Sequence, residues 1–326
     1  MLTLDTHVDI RWPDPPDPLA EGPMRVDFPK MQRGGLNAVI FIAYVGQGRR
    51  DAAGHAAAAE RAEAMLRHIR DRADGEAHRF CATPDELEAC HAAGALAVLS
   101  AVENGYAMGH DLSVPARWRS LGACYLTLTH DGHNDLADSA RPQQRLGDAP
   151  AEHGGLSPLG RQAIAALNAA GMLVDVSHVA KSGMLQAADL SRSPIVATHT
   201  ACRALHDHPR GIDDEQLDAL KSVGGLAQIT AVPAFLRPTP EGQRNPGSVE
   251  DMADHVDHAV RRIGIEHVGL SSDFDGGGGV EGWQNAAETP NLTAALARRG
   301  YGERELGLLW SGNFLRLWRR ALAIAD

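Results

Sequence analysis

The sequence of 326 residues has few aromatic residues and no excess of basic charge. Phe, Trp and Tyr make up 5% of the chain, and the formal net charge is −11. A protein without a basic face has little to attract a phosphate backbone, so we expect no nucleic-acid partner. The hydrophobic fraction of 44% still allows a sizeable core. Scarce aromatics and abundant alanine favour helices packed closely around a sheet over a β-sandwich.

Cysteines and long hydrophobic runs are also scarce. The four cysteines form no C-x-x-C pair, and they lie at Cys81, Cys90, Cys124 and Cys202. This spacing predicts reduced thiols rather than a disulfide framework. No stretch approaches the ~18 apolar residues that a membrane span needs, and the opening MLTLDTHVDI lacks the basic and apolar regions of a signal peptide. The sequence therefore predicts a soluble, cytoplasmic protein without a membrane partner.

Short apolar runs alternate with helical stretches along the chain. Several runs are almost continuously hydrophobic, as expected of parallel strands that are buried on both faces. The eight predicted strands are Leu2–Thr6, Ala38–Tyr44, Leu96–Ala101, Ala123–Thr129, Leu173–Ser177, Ile195–Thr198, Leu226–Thr230 and His267–Ser271. The alternation indicates right-handed crossovers between parallel strands, which an open doubly wound sheet would also show. Because there is no linker or internal repeat, we predict a single α/β domain over residues 1–326, a (β/α)8 TIM barrel.

Helix and loop signals separate these strands. Ser157 followed by Pro158 is typical of a helix start, and Ser248 with Asp251 resembles a capping box. Long helical patterns cover residues 51–73 and 303–324. The Pro-rich residues 13–23 and the glycine run 276–279 are interpreted as loops, the second of them mobile.

Metal-type side chains recur at the ends of the predicted strands. Among the 16 histidines, four share this position, and two carboxylates do as well; the six residues are His7, Glu103, His130, His178, His199 and Asp273. Six others, His55 and His255 among them, fall in helical stretches and are interpreted as solvated or capping residues, and the six in or near loops, His110 among them, are left without an assignment. In a (β/α)8 barrel the C-terminal ends of the strands converge on one mouth, where active sites are built. We therefore expect the six side chains to share one small volume.

Crowded carboxylates and imidazoles without balancing Lys or Arg call for a cation, because buried like charges are costly. Imidazole nitrogen with carboxylate oxygen suits Zn²⁺ or a similar first-row ion. The pair His7-x-Asp9 is expected to straddle a strand end and turn both side chains to one ion, and Glu103 is a natural bridge to a second. Two close ions lower the pKa of a bridging water and supply hydroxide near neutral pH.

Nine short motifs occur in an order that identifies a family. They are Asp5-Thr6-His7-Val8-Asp9, Val102-Glu103-Asn104-Gly105, Tyr125-Leu126-Thr127-Leu128-Thr129-His130, Gly155-Leu156-Ser157-Pro158-Leu159-Gly160, Val174-Asp175-Val176-Ser177-His178, Thr198-His199-Thr200, His208-Pro209-Arg210, Ser272-Asp273-Phe274-Asp275-Gly276 and Gly312-Asn313-Phe314-Leu315-Arg316. Together they resemble the membrane (renal) dipeptidase family, peptidase family M19, a branch of the amidohydrolase barrels.

The resemblance implies two Zn²⁺ ions per chain. His7 and Asp9 would bind one ion, His178 and His199 the other, and Glu103 would bridge them. The implied substrate is a small dipeptide, and dipeptides with a D-residue at the C-terminal side are included. The resemblance to relatives also suggests a homodimer.

Three further roles follow from the same resemblance. Asp273 would be the general acid/base, with Asp275 as the alternative. His130 would polarise the scissile carbonyl, and Arg210 would pair with the substrate's C-terminal carboxylate.

Two segments differ from the family pattern. Residues 230–235 stand where relatives often carry an asparagine–aromatic segment, and residues 10–23 are rich in proline and acidic residues. Both are expected to line the substrate pocket, so other small amides remain open, among them an N-acyl amino acid or a lactam. A non-catalytic barrel that acts as a binding protein is the alternative from another class. It is disfavoured because all five proposed ligands and the proposed base are present.

Overall fold

The computed structural model describes residues 1–73, 75–239, 242 and 246–325. Eight parallel strands pair in the order β1-β2-β4-β5-β6-β7-β8-β9, and a short strand, β3, pairs with the beginning of β4. Their bounds are β1 Leu4–Asp9, β2 Ala38–Tyr44, β3 His78–Phe80, β4 Leu96–Glu103, β5 Ala123–Thr127, β6 Leu173–Asp175, β7 Val196–Thr200, β8 Leu226–Thr230 and β9 Val268–Ser271.

The sheet closes on itself where β1 meets the chain just after β9. The N–H of Asp9 donates to the carbonyl of Phe274 at 2.9 Å, and the N–H of Asp273 donates to the carbonyl of His7 at 3.0 Å. Closure satisfies the backbone groups that an open sheet would leave at its edges. The predicted (β/α)8 barrel is therefore confirmed, and the open doubly wound sheet is excluded.

Helices cover the outside of the barrel. They are α1 Phe28–Gly34, α2 Ala52–Asp71, α3 Pro84–Ala92, α4 Val114–Ser120, α5 Pro158–Ala169, α6 Lys181–Leu190, α7 Asp214–Ser222, α8 Pro233–Leu236, α9 Val249–Ile263, α10 Thr289–Arg298, α11 Glu303–Gly307 and α12 Asn313–Ala323. Ser157 and Ser248 cap α5 and α9 as predicted, each accepting a backbone N–H three residues on. The helix predicted over 303–324 is interrupted by a π-helical segment, Leu308–Gly312.

The core has two layers that follow the two-residue period of the strands. In β2, Val39 and Phe41 belong to the outer layer with residues of α2 such as Ile69, while Ile40 and Ile42 face the barrel interior. The interior layer ends on α12, which contributes Phe314, Leu317 and Trp318. The barrel is thus filled at one end by apolar side chains, which leaves the other end for polar groups.

Some local predictions need correction. Strand β1 extends to Asp9, three residues beyond the predicted end, and the short strand β3 was not predicted. Several of residues 10–18 border a cavity against Phe41 and Ile69, between the barrel wall and α2. All four cysteines are buried free thiols. Among the described residues, we find no helix with the length and apolarity that crossing a membrane requires.

Candidate active site

The expected ligands lie at the C-terminal end of the barrel, on four different strands or the loops that follow them. His7 and Asp9 both lie within β1, so their side chains project to the same side because successive strand residues alternate. This corrects the expectation that the pair straddles a strand end. Glu103 is the last residue of β4, and His199 lies within β7. His178 follows β6 by three residues.

Glu103 is at the centre of this group. Its carboxylate oxygens lie 3.6 Å from His7 Nε2, 3.3 Å from His178 Nε2 and 3.4 Å from His199 Nε2. All four side chains are buried. Although burial opposes ionisation, the three imidazoles hold the pKa of Glu103 well below its usual range. One carboxylate therefore faces three imidazole nitrogens among buried side chains.

Each of these imidazoles uses its other nitrogen to contact an acceptor. His7 Nδ1 lies 2.9 Å from the hydroxyl of Tyr125, which donates its proton to the carbonyl of Thr6. His199 Nδ1 lies 2.9 Å from the hydroxyl of Thr198, which donates to Asp175. A hydroxyl that has given its proton elsewhere accepts from the imidazole, so both rings carry their proton on Nδ1.

The third imidazole follows the same pattern with a charged partner. His178 Nδ1 lies 3.2 Å from Asp131 Oδ1, and Arg141 pairs with the other oxygen of Asp131 at 3.1 Å. All three rings therefore direct Nε2 towards Glu103. This is how histidines that bind metals are commonly held, with the second nitrogen fixed by an outer acceptor.

Buried polar atoms in this cluster lack partners. His7 Nε2 and Asp9 Oδ1 make no hydrogen bond to any described residue. Burial and the nearby Glu103 raise the pKa of Asp9 well above its usual value, which shows the cost of holding two carboxylates together without a cation. The donor set of imidazole nitrogens and carboxylate oxygens therefore fits divalent first-row ions such as Zn²⁺.

Asp273 lies beside Asp9 across a glycine. A Cβ added to Gly276 would stand 2.2 Å from Asp9 Oδ2 and 2.4 Å from Asp273 Oδ1, so only glycine lets the backbone approach both carboxylates. Burial raises the pKa of Asp273 to about 6. The carboxylate of Asp275 instead accepts the backbone N–H of Arg25 at 2.9 Å, which fastens the loop. In the glycine run, the backbone N–H groups of Gly276, Gly277 and Gly278 all donate to the carbonyl of Asp273.

His130 and Arg210 complete the mouth. The ring of His130 lies 4.1 Å from that of His178, and its Nδ1 is 3.5 Å from the hydroxyl of Tyr44. Burial and the neighbouring His178 lower the pKa of His130 to about 3, so the ring is neutral. The guanidinium of Arg210 is 5.1 Å from the ring centre of Phe235.

Arg210 is a buried cation with a free donor. Its Nη2 donates to the carbonyl of His199 at 3.4 Å, while Nε meets no acceptor among the described residues. Arg210 and His178 also border one cavity of about 330 Å³, a volume in the range of small-molecule sites. A carboxylate in this cavity would satisfy the unused donors.

Backbone strain accompanies two of these residues. His178 and Asp273 adopt φ of 66° and 56°, in the left-handed region that non-glycine residues seldom occupy. Such conformations cost on the order of 1–3 kcal/mol and persist where the surrounding structure imposes them, often at functional sites.

The sequence analysis missed the residues that orient the imidazoles. Three of them, Tyr125, Asp175 and Thr198, lie within the family motifs but were given no role. Asp131 lies outside the motifs. Two of them are adjacent in sequence to proposed site residues, Asp131 to His130 and Thr198 to His199, which is the only local signal. His255 was interpreted as solvated but is buried, with Nδ1 accepting the N–H of Cys202 at 2.9 Å.

A comparison with protein families settles the classification. The family described as membrane dipeptidase (peptidase family M19) matches residues 1–326. The chain belongs to this family. Among curated relatives, this M19 member is 35% identical to the dipeptidase tcpJ of Claviceps purpurea over 242 residues, which cover 74% of the chain and 55% of that protein. It is 31% identical over 255 residues to dipeptidase 3 of Rattus norvegicus, covering 76% of the chain and 51% of the relative.

Solved structures of similar proteins have the same fold. The probable dipeptidase PvdM of Pseudomonas aeruginosa superposes with a TM-score of 0.92 at 29% identity, covering 99% of this chain and 96% of that one. A metallopeptidase of Rhodobacter sphaeroides, bound to a phosphinate mimic of the dipeptide L-Ala-D-Ala, superposes with a TM-score of 0.84 at 27% identity, covering 98% and 99%. This M19 member spans about half the length of the curated relatives it matches.

Proposed function

We propose that this M19 family member hydrolyses the peptide bond of small dipeptides with two zinc ions. The observation that carries the proposal is the set of three imidazoles, each with Nδ1 on an acceptor and Nε2 aimed at Glu103. His7 and Asp9 would hold one ion and His178 and His199 the other, with Glu103 between them. When bound, such a pair supplies hydroxide near neutral pH and polarises the carbonyl.

The protein's own groups then handle protons and charge. Asp273, with its pKa raised to about 6 by burial, accepts a proton as the nucleophile attacks and returns it to the leaving amine. A carboxyl group with a pKa near 6 is suited to both steps because it changes protonation close to neutral pH. His130 is neutral, so its ring N–H can donate a hydrogen bond to the oxyanion that forms at the carbonyl.

Arg210 would hold the free carboxylate of the substrate. Its unused Nε and the bordering cavity support a bidentate contact, which would fix the peptide's position and direction. The similar Rhodobacter sphaeroides structure holds a mimic of L-Ala-D-Ala, and we extend the proposed substrates to dipeptides with a D-residue at the C-terminal side.

The test uses three proteins: wild type, Asp273→Asn and Asp275→Asn. For each, we measure the zinc content and the turnover of a panel of L-L and L-D dipeptides. We expect two zinc ions at the main centre in all three proteins. Asp273→Asn should lose about 10²–10⁴-fold in kcat, the usual contribution of a general acid/base. Asp275→Asn is the matched control from the same loop and should keep most of its activity.

Each failure has a separate meaning. Two zinc ions without dipeptide turnover would leave the metal centre intact and redirect the search to another small amide, such as an N-acyl amino acid. Loss of turnover in Asp275→Asn instead of Asp273→Asn would move the acid/base role. Failure to bind metal after careful loading would contradict the whole proposal.

A further inference from the structure

A second group of metal-type side chains meets outside the candidate active site. His55 lies on α2, His110 follows the 3-10 turn after β4, and Asp135 lies in the long loop after β5. Asp135 Oδ2 is 3.0 Å from His55 Nε2 and 3.5 Å from His110 Nε2. Three separate segments thus bring two imidazoles and one carboxylate to a single point, none of them part of the proposed dipeptidase machinery.

The spacing suits a shared ion. Ligand atoms that lie about 2.0–2.2 Å from a tetrahedral Zn²⁺ are about 3.3–3.6 Å from one another. The 3.5 Å distance from Asp135 Oδ2 to His110 Nε2 lies within this range, and the 3.0 Å distance to His55 Nε2 is slightly shorter. The same three side chains each offer one ligand atom within 4.8 Å of the others.

Hydrogen bonding does not explain the cluster. His55 Nε2 and Asp135 Oδ2 are enclosed, yet neither has a hydrogen-bond partner in the part of the chain that the structure describes. The short distance between them lacks the alignment of N–H and acceptor that a hydrogen bond needs. Buried polar atoms without partners are costly, and an ion bound by both would satisfy them together.

The local charge also permits a cation. Arg50 lies 3.1 Å from the other oxygen of Asp135, but it also pairs with Glu152. Two carboxylates and one guanidinium leave a net negative charge around two imidazoles. Oδ2 of Asp135 faces away from that pairing, towards the histidines. His110 has 70% of its side chain exposed, so an ion and a water ligand can reach the site from solvent.

We propose that His55, His110 and Asp135 form an auxiliary binding site for a divalent first-row metal ion, with Zn²⁺ as the expected occupant. The two imidazole nitrogens and one carboxylate oxygen supply three ligands, and water supplies the fourth. This inference does not depend on the substrate or the catalytic mechanism proposed above.

An ion at this site would brace two loops that carry active-site residues. His110 is on the loop that follows Glu103, and Asp135 is on the loop that follows His130. The two loops already meet where Asn134 donates to Asn104 at 3.1 Å. Binding would fasten both loops to α2, so the expected role is structural rather than catalytic.

Zinc counting by difference tests the auxiliary site. Wild type, His110→Ala and His91→Ala are equilibrated with Zn²⁺, freed of excess by gel filtration and measured for zinc per chain. His110 is exposed, so its replacement should leave folding intact, and His91 on α3 is the matched control. We expect His110→Ala to hold one zinc fewer than wild type and His91→Ala to match wild type.

A second readout separates this site from the main centre. Cu²⁺ bound to His199→Ala, in which the main centre is damaged, should still give an electron paramagnetic resonance signal with nitrogen coupling. One component of that signal should disappear when His110→Ala is added, whereas copper held by His7 and Asp9 keeps its own component. Equal zinc content in wild type and His110→Ala, with both proteins folded, would overturn the proposal whatever the dipeptide assay shows. A copper signal that is unchanged by His110→Ala would overturn it as well.

Discussion

At the scale of single residues, Arg210 has the least expected environment. A guanidinium is seldom buried without a carboxylate partner, yet Arg210 is 3% exposed and rests against Phe235 and the carbonyl of His199. Burial lowers its pKa from the ordinary value, whereas nearby carboxylates such as Asp273 act in the opposite direction. The arrangement keeps a cation ready for an anion that none of the described residues supplies.

We expect Arg210→Met to lower kcat/KM for dipeptides by about 100-fold, because a charge-assisted bidentate contact is worth about 3 kcal/mol. The loss should appear mainly in KM. Steady-state kinetics on a dipeptide and on its C-terminal amide make the comparison, since the amide has no carboxylate for Arg210. An equal loss on both substrates would contradict the carboxylate-binding role.

His208, close to Arg210, makes the folded state sensitive to acid. Burial, with Arg141, His206 and Arg210 nearby, lowers the pKa of His208 to about 4. The unfolded chain binds this proton near pH 6.5, so stability is fully present above that pH and is lost as the pH falls towards 4. The side chain is partly exposed, which reduces the effect.

In the wild type, His208 Nδ1 accepts the backbone N–H of Arg210 at 3.1 Å. The substitution His208→Gln keeps an acceptor for this N–H and removes the imidazole that titrates. We expect wild type to lose about 1 kcal/mol more unfolding free energy than the variant between pH 7 and pH 5. Denaturant unfolding of both metal-free proteins measures this. Between pH 7 and pH 8 the difference in unfolding free energy between wild type and variant should stay constant. If this difference also stays constant down to pH 5, the prediction is wrong.

At the scale of elements, hydrophobic patterning predicted the strands better than their ends. Strand β2 has the predicted bounds because its residues are uniformly apolar. Strand β1 was predicted to stop at Thr6, since His7 and Asp9 are polar, but it continues because both side chains point into the polar end of the barrel. Periodicity alone cannot distinguish a polar residue that leaves a strand from one that faces a buried site.

The candidate site was predictable only where its residues have distinctive chemistry. Histidines and carboxylates at strand ends, with the family motifs, identified all eight proposed site residues, and the structure brings them to one end of the barrel. Tyr125 and Thr198 were not found because hydroxyls inside strands are common, and their role depends on contacts between separate strands. His55 and His110 were missed because three distant segments meet only in the folded chain.

The loop after β9 shows how one glycine positions two carboxylates. We expect Gly276→Ala to displace Asp9 or Asp273, weaken metal binding and lower kcat/KM by at least about 100-fold, since errors of about 1 Å at a catalytic centre have that effect. Gly277→Ala is the matched control, because its added Cβ would lie no closer than 3.9 Å to Asp273. Zinc content and kinetics of both variants test this. Full activity in Gly276→Ala would contradict the prediction, because it would mean that the loop can shift without displacing Asp9 or Asp273.

At the scale of the whole molecule, the candidate metal centre joins parts of the chain that are far apart in sequence. Its proposed ligands come from β1, β4, the loop after β6 and β7. The seam between β1 and β9 closes beside Asp9 and Asp273. Without a cation, the buried carboxylates there repel one another, whereas a bound cation would link β1, β4 and β7 with the loop after β6. Metal binding should therefore stabilise the barrel globally instead of ordering a single loop.

We expect removal of metal with a chelator to lower the melting temperature by about 8 °C. An ion present at 1,000 times its dissociation constant adds about 4 kcal/mol, and for a large domain each kcal/mol corresponds to about 2 °C. Differential scanning calorimetry of the zinc-loaded and stripped protein measures the shift. Glu103→Gln should reduce it by more than half because the bridge is lost, whereas His110→Ala should remove only the part due to the auxiliary site. A shift that persists in full in Glu103→Gln would mean that the stabilising ion binds elsewhere.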